Sequence, residues 1–319
     1  MKVLVTGAAG FVGLALVVRL VDTGRFSVTA AVRRGPCELL ARVEQIVTGD
    51  LTPNMDWEKM LPGVDAVVHL AARVHVMQDE AADSLAEFRK VNVDGTMNLA
   101  RHAAAASVRR FVFISSIKVN GESTSLERAF TADDVPAPQD PYGISKHEAE
   151  QRLRQLAAES GMEVVIIRPS LVYGPGVRAN FQNMMRWLKR GVPLPLGAIH
   201  NKRSLVALDN LVDLIIICLD HPIAANQTFL VADGEDLSTT ELLRRMGVAL
   251  GSPARLIPVP TSLLKAGAAL LGRRDMAQRL CGSLQVDISK ARELLGWNPP
   301  ISVNEALRRT AQGFNEKVV

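Results

Sequence analysis

The sequence is poor in aromatic residues and has no long apolar run. Aromatic residues make up 4% of its 319 residues, which leaves little material for surfaces on which bases stack, and no lysine/arginine block stands out. We therefore expect no nucleic-acid partner. The longest apolar stretches, 211–219 and 263–271, fall well short of the roughly 20 residues that cross a bilayer. We therefore expect no membrane span.

Cysteine is also scarce. Cys37, Cys218 and Cys281 lie far apart and form neither a C-x-x-C pair nor a metal-binding spacing. We expect reduced thiols, no metal site and a cytoplasmic protein. The first residues form a strand pattern with early glycines, which is not typical of a signal peptide. The net charge of +4 is mild and would suit an anionic small molecule.

A glycine-rich turn follows the first predicted strand. Residues 2–6 form a β-branched run typical of a buried strand, and an amphipathic helix pattern through Leu20 comes after the turn. In a dinucleotide site Gly7 would allow the tight turn, Gly10 the approach of backbone to the pyrophosphate, and Gly13 close helix packing. The strand–turn–helix order therefore predicts a dinucleotide site. The alternative is an ordinary turn between a strand and a helix.

The end of the second predicted strand, Ser27–Val32, bears on the choice of cofactor. An acidic residue there usually holds the ribose hydroxyls of NAD, whereas an arginine suits the 2′-phosphate of NADP. Arg33 and Arg34 stand at this position. Because arginine forms bidentate pairs with phosphate, we predict NADP(H) in preference to NAD(H), with solvated loop arginines as the alternative. Asp50, after a third strand at 44–48, would accept from the adenine amine or cap a turn.

The fourth predicted strand ends at Leu70, followed by Ala71 and Ala72. Such small residues let a flat cofactor lie close to the backbone. His69 is flanked by apolar residues, and we interpret it as a core histidine rather than a base. The next predicted helix carries Asn92. Because asparagine is mildly unfavourable inside a helix, its presence indicates a polar role.

A tyrosine and a lysine stand four residues apart at a predicted helix start. Pro141 is a normal first helical residue, and residues 142–160 are rich in helix formers, so Tyr142 and Lys146 share one face. A neighbouring ammonium favours phenolate, which would make Tyr142 a usable proton donor to a reduced carbonyl. The alternative is a solvated pair without a role. Ser116 follows the fifth strand, at the sheet edge where ligands bind.

The alternation of strands and helices predicts an α/β protein with a Rossmann doubly wound parallel sheet. After residues 173–176 this alternation loosens and prolines appear at Pro193 and Pro195. We expect an NAD(P)-binding Rossmann domain at 1–175, with returning segments near 203–232. A smaller C-terminal substrate-binding lobe would comprise mainly 176–319.

These motifs together resemble the extended short-chain dehydrogenase/reductase family over nearly the whole length. They comprise the glycine turn at 7–13, Asp50-Leu51, Ser115-Ser116 and Tyr142 with Lys146. The resemblance implies that Ser116 polarises the substrate oxygen, that Tyr142 is the acid/base and that Lys146 holds the nicotinamide ribose. It also implies a homodimer and further cofactor contacts at Phe11, Val12, Leu51, Asn92, Pro169 and Val172.

Within the family the chain resembles nucleotide-sugar enzymes. Segments 168–176 and 290–297 are familiar there, and Arg203 stands where those enzymes place an arginine on the diphosphate. The closest resemblance, through 115–121, 191–197 and 201–206, is to bacterial reductases of a UDP-4-keto-6-deoxy-N-acetylhexosamine in O-antigen precursor synthesis. The expected substrate contacts are Ser116, Lys118, Asn180, Pro193, Leu194, Leu196, Arg203 and Arg279.

Two departures from related enzymes narrow the expected reaction. Leu171 stands where UDP-galactose-type epimerases usually carry asparagine, and Ile117 and Lys118 stand where 4,6-dehydratases carry two residues for proton transfer. The resemblance therefore favours reduction of the C4 ketone to UDP-N-acetylquinovosamine or UDP-N-acetylfucosamine. The alternatives are a UDP-glucose or UDP-N-acetylglucosamine 4-epimerase, a reductase of a non-sugar ketone and, in another class, a non-catalytic NADP-sensing regulator.

Overall fold

The computed structural model describes residues 1–74 and 83–316. Its strands are β1 (Lys2–Thr6), β2 (Ser27–Val32), β3 (Glu44–Val47), β4 (Ala66–His69), β5 (Arg110–Ile114), β6 (Glu163–Pro169), β7 (Leu171–Tyr173), β8 (Arg203–Ala207), β9 (Thr228–Val231) and β10 (Asp236–Leu237). Its α-helices are α1 (Phe11–Asp22), α2 (Ser84–Arg89), α3 (Thr96–Ala105), α4 (Pro141–Ser160), α5 (Ala179–Lys189), α6 (Leu208–Asp220), α7 (Thr239–Ala249), α8 (Thr261–Leu270), α9 (Arg274–Cys281), α10 (Ser289–Leu295) and α11 (Val303–Asn315).

The larger sheet has the spatial order β3-β2-β1-β4-β5-β6-β9 within the described residues. Every strand pair in it is parallel. The order reverses between β1 and β4, where an open parallel sheet forms a ligand crevice at its carboxyl edge. The predicted α/β class and doubly wound parallel sheet are confirmed.

Both faces of the larger sheet are buried. Val3 and Val5 point into one core with α1, α6 and α10, whereas Leu4 points into the other with α3 and α4. Strands covered on both faces are apolar at nearly every position, which is why β1, β4 and β5 were recognisable as continuous apolar runs.

A second core lies beside the larger sheet. Its sheet has the order β10-β8-β7, and its apolar residues come from α5, α7, α11 and the segment around Leu194. The chain also returns to the larger sheet, because α6 packs in its core and β9 pairs with β6. The division into domains at 1–175 and 176–319 stays a prediction.

A buried ion pair joins α4 to the sheet. Glu150 of α4 accepts from the Arg168 guanidinium of β6 through both carboxylate oxygens, at 2.8 and 2.5 Å. The Ser115 hydroxyl, just after β5, donates to the same carboxylate at 2.6 Å. Arg168 also donates to the side-chain oxygen of Asn120 at 2.9 Å. One buried cluster therefore fixes α4 against β5 and β6.

Replacement of Glu150 by glutamine should destabilise the protein by about 3–5 kcal/mol, because it leaves the buried Arg168 charge without its partner. The matched control is Glu148→Gln on the same helix, whose ion pair with Arg89 lies at the surface and should contribute no more than about 1 kcal/mol. Denaturant unfolding of both variants measures the difference. Equal losses of unfolding free energy would contradict this account of the cluster.

Candidate active site

The glycine turn after β1 has the geometry of a phosphate site. Gly7 has a φ of +66°, and a Cβ added there would lie 2.8 Å from the Ala71 nitrogen. A Cβ on Gly13 would lie 2.2 Å from the Gly7 oxygen. The helix α1 begins after Gly10, and within the described residues no side chain caps it. Its first N–H groups therefore suit an anion, so these residues fit a dinucleotide pyrophosphate.

The end of β4 is held by a buried histidine. The two ring nitrogens of His69 lie 2.7 Å from the Thr6 hydroxyl and 3.0 Å from the Thr96 hydroxyl. Burial lowers the pKa of His69 to about 3, so the ring is neutral at physiological pH. The interpretation of His69 as a core histidine is confirmed. The ring stabilises the strand end that leads to Leu70, Ala71 and Ala72.

Asn92 lies in a π-helical segment, Lys90–Gly95, between α2 and α3. Its side chain accepts from the Arg73 N–H at 2.8 Å and donates to the Arg73 carbonyl and the Ser145 hydroxyl, both at 3.0 Å. Ser145 in turn donates to the Tyr142 carbonyl at 2.8 Å. Such segments often occur at functional sites. Asn92 joins the loop after β4 to the first turn of α4, and its direct contact with a cofactor stays a prediction.

The structure brings Ser116, Tyr142 and Lys146 together at the carboxyl end of β5. The Ser116 hydroxyl makes a side-chain hydrogen bond with Tyr142. The Lys146 ammonium donates to the Ile114 carbonyl at 2.7 Å and lies 4.2 Å from the centroid of the Phe113 ring. Burial lowers the pKa of Lys146 to about 7. A hydroxyl, a phenol and an amine whose pKa lies near neutrality therefore meet at the carboxyl edge of the sheet.

The pKa of Tyr142 departs from the sequence-based expectation. Burial and then the Asp140 carboxylate raise it to about 12, and the hydrogen bond from Ser116 acts in the opposite direction. The expectation that Lys146 lowers this pKa is wrong for this structure. The ammonium is directed to the Ile114 carbonyl and an aromatic face, so its charge does not offset the desolvation of the phenol. Tyr142 is therefore a neutral phenol at physiological pH.

Asp140 is a site residue that the sequence analysis missed. One of its oxygens accepts from the Gly143 N–H at 2.6 Å and caps α4, and the other pairs with the Lys118 ammonium. The Lys118 ammonium also forms an ion pair with the Glu122 carboxylate, at 3.1 Å between Nζ and Oε1. Asparagine and aspartate before a proline-led helix are familiar capping residues, so the cap could have been found. Its effect on the pKa of Tyr142 could be recognised only from the structure. Lys118 as a substrate contact stays a prediction.

The expected substrate contacts of the lobe lie in different environments. Arg203 donates to the carbonyls of Arg279 and Gly282, both at 3.1 Å, and burial lowers its pKa. The structure thus brings Arg203 to the segment that carries Arg279. Leu194 and Leu196 pack in the second core, whereas Asn180 and Pro193 are exposed. Their roles stay predictions.

The residues expected around the adenosine lie at the outer edge of the sheet. Arg33, Arg34 and Asp50 are exposed, and the Arg33 guanidinium approaches the Asp50 carboxylate to 3.8 Å. Leu51 is partly buried and its side chain lies against Gly95. Pro169 at the end of β6 is buried, and Val172 of β7 is partly buried. Phe11 and Val12, at the start of α1, are also partly buried.

The fold and these residues agree with a comparison with known families. The family model described as "NAD dependent epimerase/dehydratase family" matches residues 3–232. The chain belongs to this family. The predicted membership of the extended short-chain dehydrogenase/reductases and the prediction of an enzyme are therefore confirmed.

Several similar proteins are named for reactions of nucleotide sugars. A Vibrio cholerae protein named UDP-glucose 4-epimerase is 50% identical over 314 residues, 98% of this chain and 95% of that protein. The structure of UDP-N-acetylglucosamine 4-epimerase from Bacillus cereus has a TM-score of 0.81 at 23% identity and 99% coverage of both chains. A UDP-glucuronic acid 4-epimerase from the same organism, solved with NAD, has a TM-score of 0.79 at 22% identity and 99% coverage of both. At such identities the two structures show the fold.

Replacement of Gly13 by alanine should weaken dinucleotide binding by roughly tenfold or more, equivalent to at least about 1.4 kcal/mol, because the new methyl group overlaps the Gly7 carbonyl. Gly267→Ala is the matched control, since a Cβ there meets no atom within 4 Å, and it should leave binding unchanged. Fluorescence titration with the reduced cofactor measures both affinities. Unchanged affinity in Gly13→Ala would contradict the proposed phosphate site.

Replacement of Asp140 by asparagine should lower the pKa of Tyr142, because asparagine still caps the helix but removes the negative charge. Lys118→Met should raise the same pKa, since it leaves Asp140 without its neutralising partner. Absorbance of phenolate measures the titration, and the chain has only two tyrosines. Burial raises the pKa of Tyr173 further than that of Tyr142, so Tyr142 titrates first. Asp133→Asn, in an exposed ion pair with Lys290, is the control. A Tyr142 titration that is identical in Asp140→Asn and the parent protein would count against this electrostatic account.

Proposed function

We propose that the protein is a UDP-sugar 4-epimerase. The observation that carries this proposal is the 50% identity, over 98% of the chain, to a protein named UDP-glucose 4-epimerase. The arrangement of Ser116, Tyr142 and Lys146 beside the glycine turn supports it. The proposal replaces the sequence-based preference for a 4-ketoreductase, which depended on resemblance within shorter segments.

Epimerisation at C4 requires loss of a hydride and of the hydroxyl proton, followed by their return with the sugar presenting its other face. A bound nicotinamide supplies the hydride chemistry. The chain must therefore hold the sugar oxygen and move one proton. In this proposal Tyr142 takes the proton from O4 and returns it, and Ser116 donates a hydrogen bond to that oxygen. A prearranged donor of this kind contributes about 3–4 kcal/mol to a transition state in well-studied sites.

The raised pKa of Tyr142 must be lowered before this residue can act as a base. Tyr142 must lose its proton to act first as a base, yet burial and Asp140 raise its pKa to about 12. A positively charged nicotinamide beside the phenol would favour the phenolate. Lys146, whose pKa burial lowers to about 7, would hold the nicotinamide ribose. Cofactor binding is thus expected to activate the base.

A second candidate is the C4 ketoreductase of a UDP-4-keto-6-deoxy-N-acetylhexosamine. Two observations favour it. Leu171, where related epimerases usually carry asparagine, is 52% exposed at the start of β7. Tyr142 is a neutral phenol, which is the form that donates a proton to a reduced ketone. This candidate would consume reduced cofactor, whereas an epimerase would not.

The finer assignments from the resemblance also belong to this proposal. We propose a preference for NADP(H), supported by Arg33 and Arg34 alone; the family is NAD-dependent by description. A homodimer, a cytoplasmic location and a role in O-antigen precursor synthesis are proposed from resemblance. No helix within the described residues is long and apolar enough to cross a membrane.

The purified protein should interconvert UDP-glucose and UDP-galactose, or their N-acetyl forms, without net oxidation of cofactor. Tyr142→Phe should lower turnover by about 10²–10⁴-fold, the usual contribution of a positioned acid/base, while cofactor affinity changes little. NMR of the sugar products and absorbance of the reduced cofactor measure both reactions. Stoichiometric cofactor oxidation with the 4-keto sugar, and no interconversion, would replace the epimerase by the ketoreductase.

A further inference from the structure

Charge is unevenly distributed along the chain. Segments 178–203 and 251–282 together carry eleven lysines and arginines but one acidic residue, Asp275. The whole chain has 37 basic and 33 acidic residues, so these two segments have a net charge of +10 and the remainder has a net charge of −6. Such asymmetry indicates an anionic partner for the basic part. The asymmetry is not visible as a contiguous basic block in the sequence.

The two basic segments lie side by side in the structure. The Leu194 N–H donates to the Arg255 carbonyl at 2.9 Å, and the Ile257 N–H donates back to the Leu194 carbonyl at 2.8 Å. Farther along, the Asn201 side chain donates to the Gly282 carbonyl at 2.8 Å. The two basic segments are therefore neighbours in the fold.

The helix α8, within the second segment, carries leucines that face solvent. All ten of its residues are described and none is buried. Leu263 is 62% exposed and Leu270, seven residues later on the same helix face, is 89% exposed. The next residue, Leu271, is 76% exposed. Single exposed leucines are ordinary, but two on one helix face with a third directly after them indicate a surface that contacts something else.

Exposed basic side chains accompany these leucines. Lys265 lies on the opposite side of α8 from Leu263, and Arg273 follows the last turn of the helix. A helix with apolar residues beside lysine and arginine suits the surface of an anionic bilayer, where apolar side chains enter the headgroup boundary and cations meet lipid phosphates. A second copy of this chain would present the same positive charge and be repelled.

We propose that α8 and its flanking residues dock the protein on an anionic membrane surface. In this proposal Leu263, Leu270 and Leu271 provide the apolar contacts, while Lys265 on the polar side of α8 and Arg273 after it provide the positive charge. The helix α9 follows directly, and its Arg279 carbonyl contacts Arg203. Docking through α8 therefore brings the expected substrate lobe next to the bilayer. The inference stands on charge and exposure and does not depend on the proposed reaction.

Co-sedimentation of the full chain with lipid vesicles tests this inference. The protein should sediment with vesicles of phosphatidylcholine and phosphatidylglycerol, and not with phosphatidylcholine alone. Leu270→Glu/Leu271→Glu and Lys265→Glu/Arg273→Glu should each weaken binding by roughly tenfold or more, because docking needs both apolar contact and charge. The matched control is Val135→Glu/Ile223→Glu, at exposed positions outside both segments, which should bind like the parent protein.

The other outcomes overturn the inference. Absence of sedimentation with either vesicle would do so directly. Loss of binding in the charge variant but not in the leucine variant would show general attraction to polyanions, such as RNA, instead of docking. Self-association of the parent protein that the leucine variant abolishes, without vesicle binding, would assign α8 to contact between copies. Unchanged thermal unfolding confirms that each variant is folded.

Discussion

The buried pair of Glu150 and Arg168 fixes the geometry on which the candidate site depends. It joins α4 to β6, and Ser115 brings the end of β5 into the same cluster. Ser116 follows β5, while Tyr142 and Lys146 lie on the first two turns of α4. The end of β5 at Ile114 and the start of α4 at Pro141, which a long loop separates, are therefore held in one arrangement by an interaction that has no contact with solvent. Unpaired charges in such a position are costly, so the two elements are expected to fold against each other together.

Burial is the physical cause of both altered ionisations at the site. It raises the pKa of the Tyr142 phenol and lowers that of the Lys146 ammonium, because desolvation disfavours the charged form of each group. The two neutral forms are thus favoured together. Any ligand that excludes water from the site without adding charge would favour the same two neutral forms.

The features that could be predicted from the sequence are those set by residues close together in the chain. The order of β1, glycine turn and α1 was recognisable, as was the start of α4 at Pro141, because strands, turns and helix starts have local signatures. The return of β9 to pair with β6 was not identified as a strand, since it is a short apolar segment whose partner lies far away in sequence. The direction of the Lys146 ammonium and the field of Asp140 at Tyr142 were also missed, because both depend on three-dimensional packing.

The late position of β9 has a consequence for biosynthesis. β6 ends at Pro169, but β9, which pairs with its outer edge, begins only at Thr228. The elements β7, α5, β8 and α6 are made between the two strands. At about 5–20 residues per second, the ribosome needs several seconds to supply that neighbour. During this time the hydrogen-bonding edge of β6 is exposed in a nascent chain that otherwise contains six strands of the sheet. Such an edge can pair with another chain, so β6 is open to intermolecular pairing until β9 has been made.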